Sequence, residues 1–177
     1  ISTLENMGDT VYSVLVSGKS ICEGYSRTVQ ILLDKIGIKN YLVTGDTESD
    51  GEILPHMWNV VNIGGDNYHL DVTWDDLNEN FETVYFYFNV TDEYISRDHY
   101  KINPQNNNCN STELNYFVKE NTLVYTYKGY KYLVQQSVDA LKKDNTVEFC
   151  FVDNTDYKKA LKDLENDNGF FKYVDIV

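Results

Sequence analysis

Two adjacent glycines, Gly64-Gly65, stand between two runs rich in β formers, residues 56–63 and 67–74. No other feature constrains the fold of this chain so strongly. Glycine accepts the positive φ that a two-residue hairpin turn demands, so the spacing predicts a β-hairpin. A two-residue turn pairs Ile63 with Asp66 and sets His56 opposite Thr73, seven residues back along each strand. Side chains of directly opposed residues share a face, as do residues two apart on one strand. His56 and Asp71 thereby become diagonal neighbours on one face. That is where a carboxylate can orient an imidazole and hold its tautomer. One more residue in the turn would put them on opposite faces.

A helix is expected before the hairpin. Tyr25, Val29, Leu32, Leu33 and Ile36 recur at helical spacing over residues 22–36, with Gly37 placed to end the helix and Ser20 placed to cap it. Cys22 then opens the helix, where unpaired N–H groups and the helix dipole favour an anion. The thiolate is the nucleophilic form of cysteine. Taken singly, a lone Cys is more often a small buried hydrophobe, and a single His or Asp more often a surface or strand-end residue. A thiol, a base and an acid in this relation point instead to a Cys22–His56–Asp71 triad.

The rest of the chain reads as a strand over residues 38–44, an acidic loop over 46–54 and a further strand over 83–90, TVYFYFNV. Residues 101–112, KINPQNNNCNST, hold little that can pack and read as a loop between two parts. Beyond it a strand or hairpin is expected over 116–127, a helix over 131–143, a strand over 147–152, a helix over 157–164 and a last strand over 170–177. This second part is a small α/β unit without recognisable chemistry. The expected division is 1–105 and 106–177.

Composition narrows the partners. A chain of 177 residues with 42% apolar and 14% aromatic residues can bury a sizeable core. Its formal charge of −13 argues against nucleic acid and anionic membranes and favours cationic substrates at long range. No apolar run is long enough to span a bilayer. The three Cys, at 22, 109 and 150, are odd in number and widely spaced, so no disulfide framework is expected. His56, His69 and His99 show neither HxxxH nor HExxH spacing and no CxxC pair exists, so no metal site and no cofactor is expected. Cys109 falls in the Asn-rich loop and Cys150 in an expected core strand, and neither is expected to be catalytic. The chain begins at Ile1 without a Met, and the expectation is a piece of a longer protein.

The stretches GKSICEGYSRTVQILLDKIGI and HMWNVVNIGGDNYHLDVTWDD resemble the transglutaminase-like superfamily, a branch of the papain-like cysteine enzymes. Cys22 in CEGYS matches the Cys that opens a helix, His56 in HMWN the His that opens a strand, and Asp71 in DVTWDD the Asp of a D-x-T-W context. Their order agrees, and the resemblance runs from about Thr10 to His99. It implies an α+β papain-like core, with the Cys-bearing helix packed on an antiparallel sheet, followed here by the small α/β appendage. YFYFNVTDEYISRDH is similar to the continuation in bacterial members, but the resemblance gives Asp98 and His99 no role. The oxyanion-stabilising Gln that papain-like proteases carry before the Cys has no counterpart in VLVSG, residues 14–18. Tyr12 and Trp58 are candidate site-lining residues in its place, and otherwise core. The acidic run Asp75, Asp76, Glu79, Glu82 lacks calcium-loop spacing.

The expected function is thiol-dependent attack on amide bonds of proteins or peptides through an acyl-thioester, as a cysteine protease or amidase, or as a transglutaminase if an amine accepts the acyl group. The alternative is a catalytically silent binding module of a larger surface protein. Asp46, Glu48, Asp50 and Glu52 crowd the stretch before His56 and, if they border the cleft, would favour basic substrate groups. Abundant Asn, Lys, Ile and Tyr fit an AT-rich bacterium, and relatives of this kind are often secreted or surface-attached, so an extracellular or cell-surface location is expected.

Overall fold

The computed structural model describes residues 8–49, 51–76, 84–103, 108–141 and 147–165. Two compact units divide the chain, Ile1–Tyr116 and Phe117–Val177. The boundary falls later than the expected 105 because residues 109–115 are tied into the first unit. Cys109 is fully buried in its core. Asp92 N donates to Cys109 O at 2.7 Å, Tyr68 Oη to Ser111 Oγ at 3.0 Å and Asn89 Nδ2 to Leu114 O at 3.1 Å.

The first unit is α+β: mixed helix and a five-stranded antiparallel sheet. Its elements are α1 (Cys22–Lys35), β1 (Lys39–Ser49), β2 (Glu52–Ile63), β3 (Asp66–Leu70), α2 (Val72–Asp75), β4 (Phe88–Val90), α3 (Asp92–Ile95) and β5 (His99–Tyr100). The strand order is β4-β3-β2-β1-β5. The hairpin forms as its glycines dictate: Ile63 pairs with Asp66, and Gly64 and Gly65 take φ of 67° and 101°. The expected acidic loop is instead strand. β1 and β2 stay in register from Lys39↔Asn62 to Ser49↔Glu52, and Gly51 at the corner has φ of 80°.

That register sorts the side chains. Val43, Gly45 and Thr47 share a face with Trp58, His56 and Leu54, their partners, with His99 opposite Thr47 and with His69, the partner of Val60. This face carries the core of Val43, Trp58, Val60, Val90, Ile95 and Cys109. The other face carries Val61, Tyr68 and Leu70, against which Val29 and Leu33 of α1 pack. Burying such side chains is worth about 1.5–3 kcal/mol each. Asp46 and Glu48 alternate onto that other face.

The second unit holds α4 (Tyr116–Lys119, starting at the boundary), β6 (Leu123–Val124), α5 (Tyr127–Leu141), β7 (Cys150–Phe151) and α6 (Asn154–Glu165). β6 and β7 pair in parallel. The expected strand or hairpin over 116–127 is a short helix and a two-residue strand. α5 starts earlier than expected because Thr126 Oγ1 caps Gly129 N at 3.1 Å and Asp156 Oδ2 accepts from Tyr127 N at 3.0 Å. Val124, Tyr130, Val134 and Ala160 form its core. The expected strand over 170–177 lies outside the described residues. No described helix is long and apolar enough to cross a membrane.

Candidate active site

β3 stops at Leu70, and this gives α1 access to β2. Beyond Leu70 the backbone of Met57 meets α1 where a neighbouring strand would continue. Ser26 Oγ, which also donates to Cys22 O, donates to Met57 O at 2.8 Å. Asn59 Nδ2 donates to Ser26 O at 3.1 Å. Gly24 lets the helix end approach: a Cβ there would collide with Ser20 Oγ and lie 3.0 Å from Thr10 O. Cys22 is thereby held against the strand that carries His56. Ser20 is not the cap expected. Its hydroxyl donates to Gly8 O at 2.5 Å, and the N-cap is Ile21, with no capping side chain.

Asp71 leaves the sheet as the N-cap of α2. Its Oδ1 accepts from Thr73 N at 3.0 Å and Trp74 N at 3.3 Å, and these bonds override the β propensity of Val72 and Thr73. Its Oδ2 lies 2.6 Å from His56 Nε2, as the hairpin register predicts. With Nε2 committed to Asp71, Nδ1 of His56 is the nitrogen left to face Cys22, whose thiol the ring influences. The structure thus brings Cys22, His56 and Asp71 into one chain of contacts.

The charges follow. The hydrogen bond from His56 holds the Cys22 thiol below its ordinary value, against partial burial, with backbone hydrogen bonds from Met57 and Glu23 helping. Burial would lower His56, but its bonds to Asp71 and Cys22 outweigh this and raise it to about 9. Burial would raise Asp71, but His56 and His99 hold it below the usual carboxylate range. The thiol shifts down and the imidazole up, the two directions that favour a thiolate–imidazolium pair. Asp75 beside them is pushed up to about 7 by burial, against the bond from Tyr87 N and with the charge of Asp71 adding to it.

The sequence missed His99, Asp98 and Tyr87. His99 Nε2 lies 3.0 Å from the same Asp71 Oδ2, and its Nδ1 lies 2.6 Å from Asp98 Oδ1. Asp98 Oδ2 accepts from Tyr87 Oη at 2.5 Å. The available signal was a His directly after an Asp at the end of a β-rich stretch, which says nothing about what it meets. Gly45 makes room for it: a Cβ there would lie 2.6 Å from Tyr100 O and 2.9 Å from the Trp58 ring.

Neither lining candidate gives the triad a hydrogen bond among the described residues. Trp58 is fully buried, stacks on His56 with ring centroids 5.9 Å apart, and gives its indole N–H to His69 Nδ1 at 2.9 Å. That N–H has no freedom to meet an oxyanion. Tyr12 is exposed at the head of a π-helical turn, Ser13–Ser17, and makes no hydrogen bond to the triad among the described residues. The acidic residues divide. Asp46, paired with Lys101 at 2.8 Å, and Glu48 sit on the face opposite His56, Glu52 shares the face of His56, and Asp50 lies outside the described residues.

Two clusters have ligand atoms close enough for a metal, His56–Asp71–His99 and His69–Asp92–Cys109. Hydrogen bonding accounts for both. Each nitrogen of His99 lies within hydrogen-bond distance of a carboxylate. His69 accepts from Trp58 at Nδ1, which leaves Nε2 to donate to Asp92 Oδ1 at 2.9 Å.

No protein-family model and no curated protein matches this sequence.

Proposed function

We propose that the chain is a thiol-dependent amide-bond enzyme of the transglutaminase-like, papain-related kind, acting on proteins or peptides. One observation carries the reading: Cys22, at a helix N-terminus without a capping side chain, meets His56, which Asp71 holds at 2.6 Å. The Cys22 thiolate attacks the amide carbonyl carbon, whose oxygen takes the negative charge. The backbone N–H of Cys22, with no side-chain cap beside it, is our assignment for one oxyanion donor. His56 passes its Nδ1 proton to the departing amine, leaving a thioester on Cys22 and a neutral imidazole. Water or a primary amine then attacks the thioester, His56 takes the proton, and the thiolate leaves. Water gives hydrolysis and a Lys amine gives a crosslink, through the same residues.

The test is mass spectrometry of a peptide library incubated with the protein, with and without a primary amine, beside Cys22→Ala. Cleavage, deamidation or amine incorporation that vanishes in the variant supports the reading. An inert library together with a Cys22 that resists iodoacetamide at neutral pH overturns it in favour of a binding module.

A further inference from the structure

We infer that His99 is a positioning residue that carries a permanent positive charge, keeping Asp71 ionised and fixed while His56 gains and loses its proton. This rests on the reading of Cys22 and His56 as nucleophile and base.

The ring of His99 has carboxylates at both ends, Asp71 Oδ2 at 3.0 Å and Asp98 Oδ1 at 2.6 Å. A neutral imidazole has one N–H and satisfies one of them, whereas the imidazolium satisfies both. The side chains of His99 and Asp71 are both 0% exposed. A buried carboxylate without a counter-charge is costly. His56 supplies that charge only in its protonated half of the cycle. When His56 gives its proton to the leaving amine, His99 remains on the same oxygen, and Asp71 does not need to take a proton or turn away.

The surroundings hold His99 in this role. Its ring lies between Trp58 and Trp74, each with centroids 4.9 Å away, and beside Tyr87 at 5.5 Å. Of the ionisable groups around it, Asp71 and Asp98 favour the charge, and Tyr87 keeps Asp98 in place. His56, with its ring 5.4 Å away, opposes the charge when protonated. His69 also couples to His99, but the Trp58 N–H keeps it neutral. Burial opposes the charge on His99, and the two carboxylates outweigh burial, so its pKa is raised.

The test has two arms. In the unmutated protein, ¹⁵N-histidine spectra at pH 7 should show His99 protonated on both nitrogens, and a neutral His99 overturns the inference. In the second arm the rate of Cys22 alkylation by iodoacetamide is followed against pH, with peptides resolved by mass so that Cys109 and Cys150 are counted apart. His99→Gln keeps a donor toward Asp71 and removes the charge. The upper inflection of that profile, where His56 loses its proton, should move up by about one pH unit, because a neutral His56 then leaves Asp71 without a counter-charge. A profile that superimposes on the parent's overturns the role of His99 and leaves the triad standing. A parent Cys22 that reacts only like an ordinary thiol removes the triad reading, and this inference with it.

Discussion

The first unit contains a Cys, a His and an Asp in contact twice over. Cys22, His56 and Asp71 form one set, and Cys109, His69 and Asp92 the other. Composition is the same, so the difference lies in what each nitrogen and sulfur faces. His56 has Asp71 at one nitrogen and the Cys22 thiol near the ring, and both raise its pKa, to about 9. His69 has Asp92 at one nitrogen and the indole N–H of Trp58 at the other, a donor, and together with burial this keeps it neutral. Cys22 sits half-buried at a helix N-terminus and its thiol pKa falls. Cys109 is fully buried, and burial with Asp92 beside it pushes the thiol up to about 12. Trp58 touches both sets. The two sets differ in the partners of each ring, not in the residue types that meet.

The largest expected effect breaks the comparison outright. Cys22→Ala should lower amide turnover by about a thousandfold or more, as removal of a nucleophile does in a triad. Cys109→Ala should leave turnover within about twofold and cost about 1–2 kcal/mol of stability, as a small cavity in the core does. Turnover and urea unfolding of both variants check this. Loss of activity in a folded Cys109→Ala protein would mean that the second set takes part in the chemistry.

A smaller effect sharpens it. Trp58→Phe keeps a ring against His56 and His99 but removes the donor to His69 Nδ1. A buried acceptor left unpaired costs about 1–3 kcal/mol. With no donor in its way, His69 should also take a second proton at higher pH than in the parent, visible in ¹⁵N-histidine titration. Cys22 alkylation should stay within about threefold, because Trp58 meets the triad by ring packing alone. An unchanged His69 titration would show that something other than the indole N–H holds it neutral.

The His56–Asp71 contact was legible in the sequence because one short hairpin carries both residues. Gly64-Gly65 fixed the register, and register fixed the His56–Asp71 diagonal. His99 was not legible, because it reaches Asp71 through the pairing of β5 with the far end of β1, Thr47↔His99, and no local period announces such a contact. The run over 83–90 read as a full strand from its β formers, yet only Phe88–Val90 pairs. The preceding described residues are held by Asp75, whose backbone O accepts from Val84 N at 3.2 Å and whose Oδ1 accepts from Tyr87 N at 2.8 Å. The acidic stretch misled in the other direction: charge suggested a loop, while Thr44 and Thr47 and a Gly at the corner suit a hairpin with one solvated face.

That solvated face gives the smallest effect, and it tests whether remote charge contributes to the contrast between the two sets. The register puts Asp46 and Glu48 on the side of the sheet away from His56. Asp46 is already paired with Lys101, and Glu48 accepts from Tyr100 Oη at 3.3 Å. Both side chains thus point away from His56 and have partners of their own. The Cys22–His56 pair should therefore owe its state to Asp71 and His99 and almost nothing to these two carboxylates. Asp46→Asn with Glu48→Gln should change the ratio of cleavage rates for basic and acidic peptides by less than about twofold at low salt. The acid limb of Cys22 alkylation should stay in place. A ratio that falls fivefold or more, with the loss disappearing as salt is added, would show that this hairpin end reaches round the sheet edge to the cleft and selects substrates by charge.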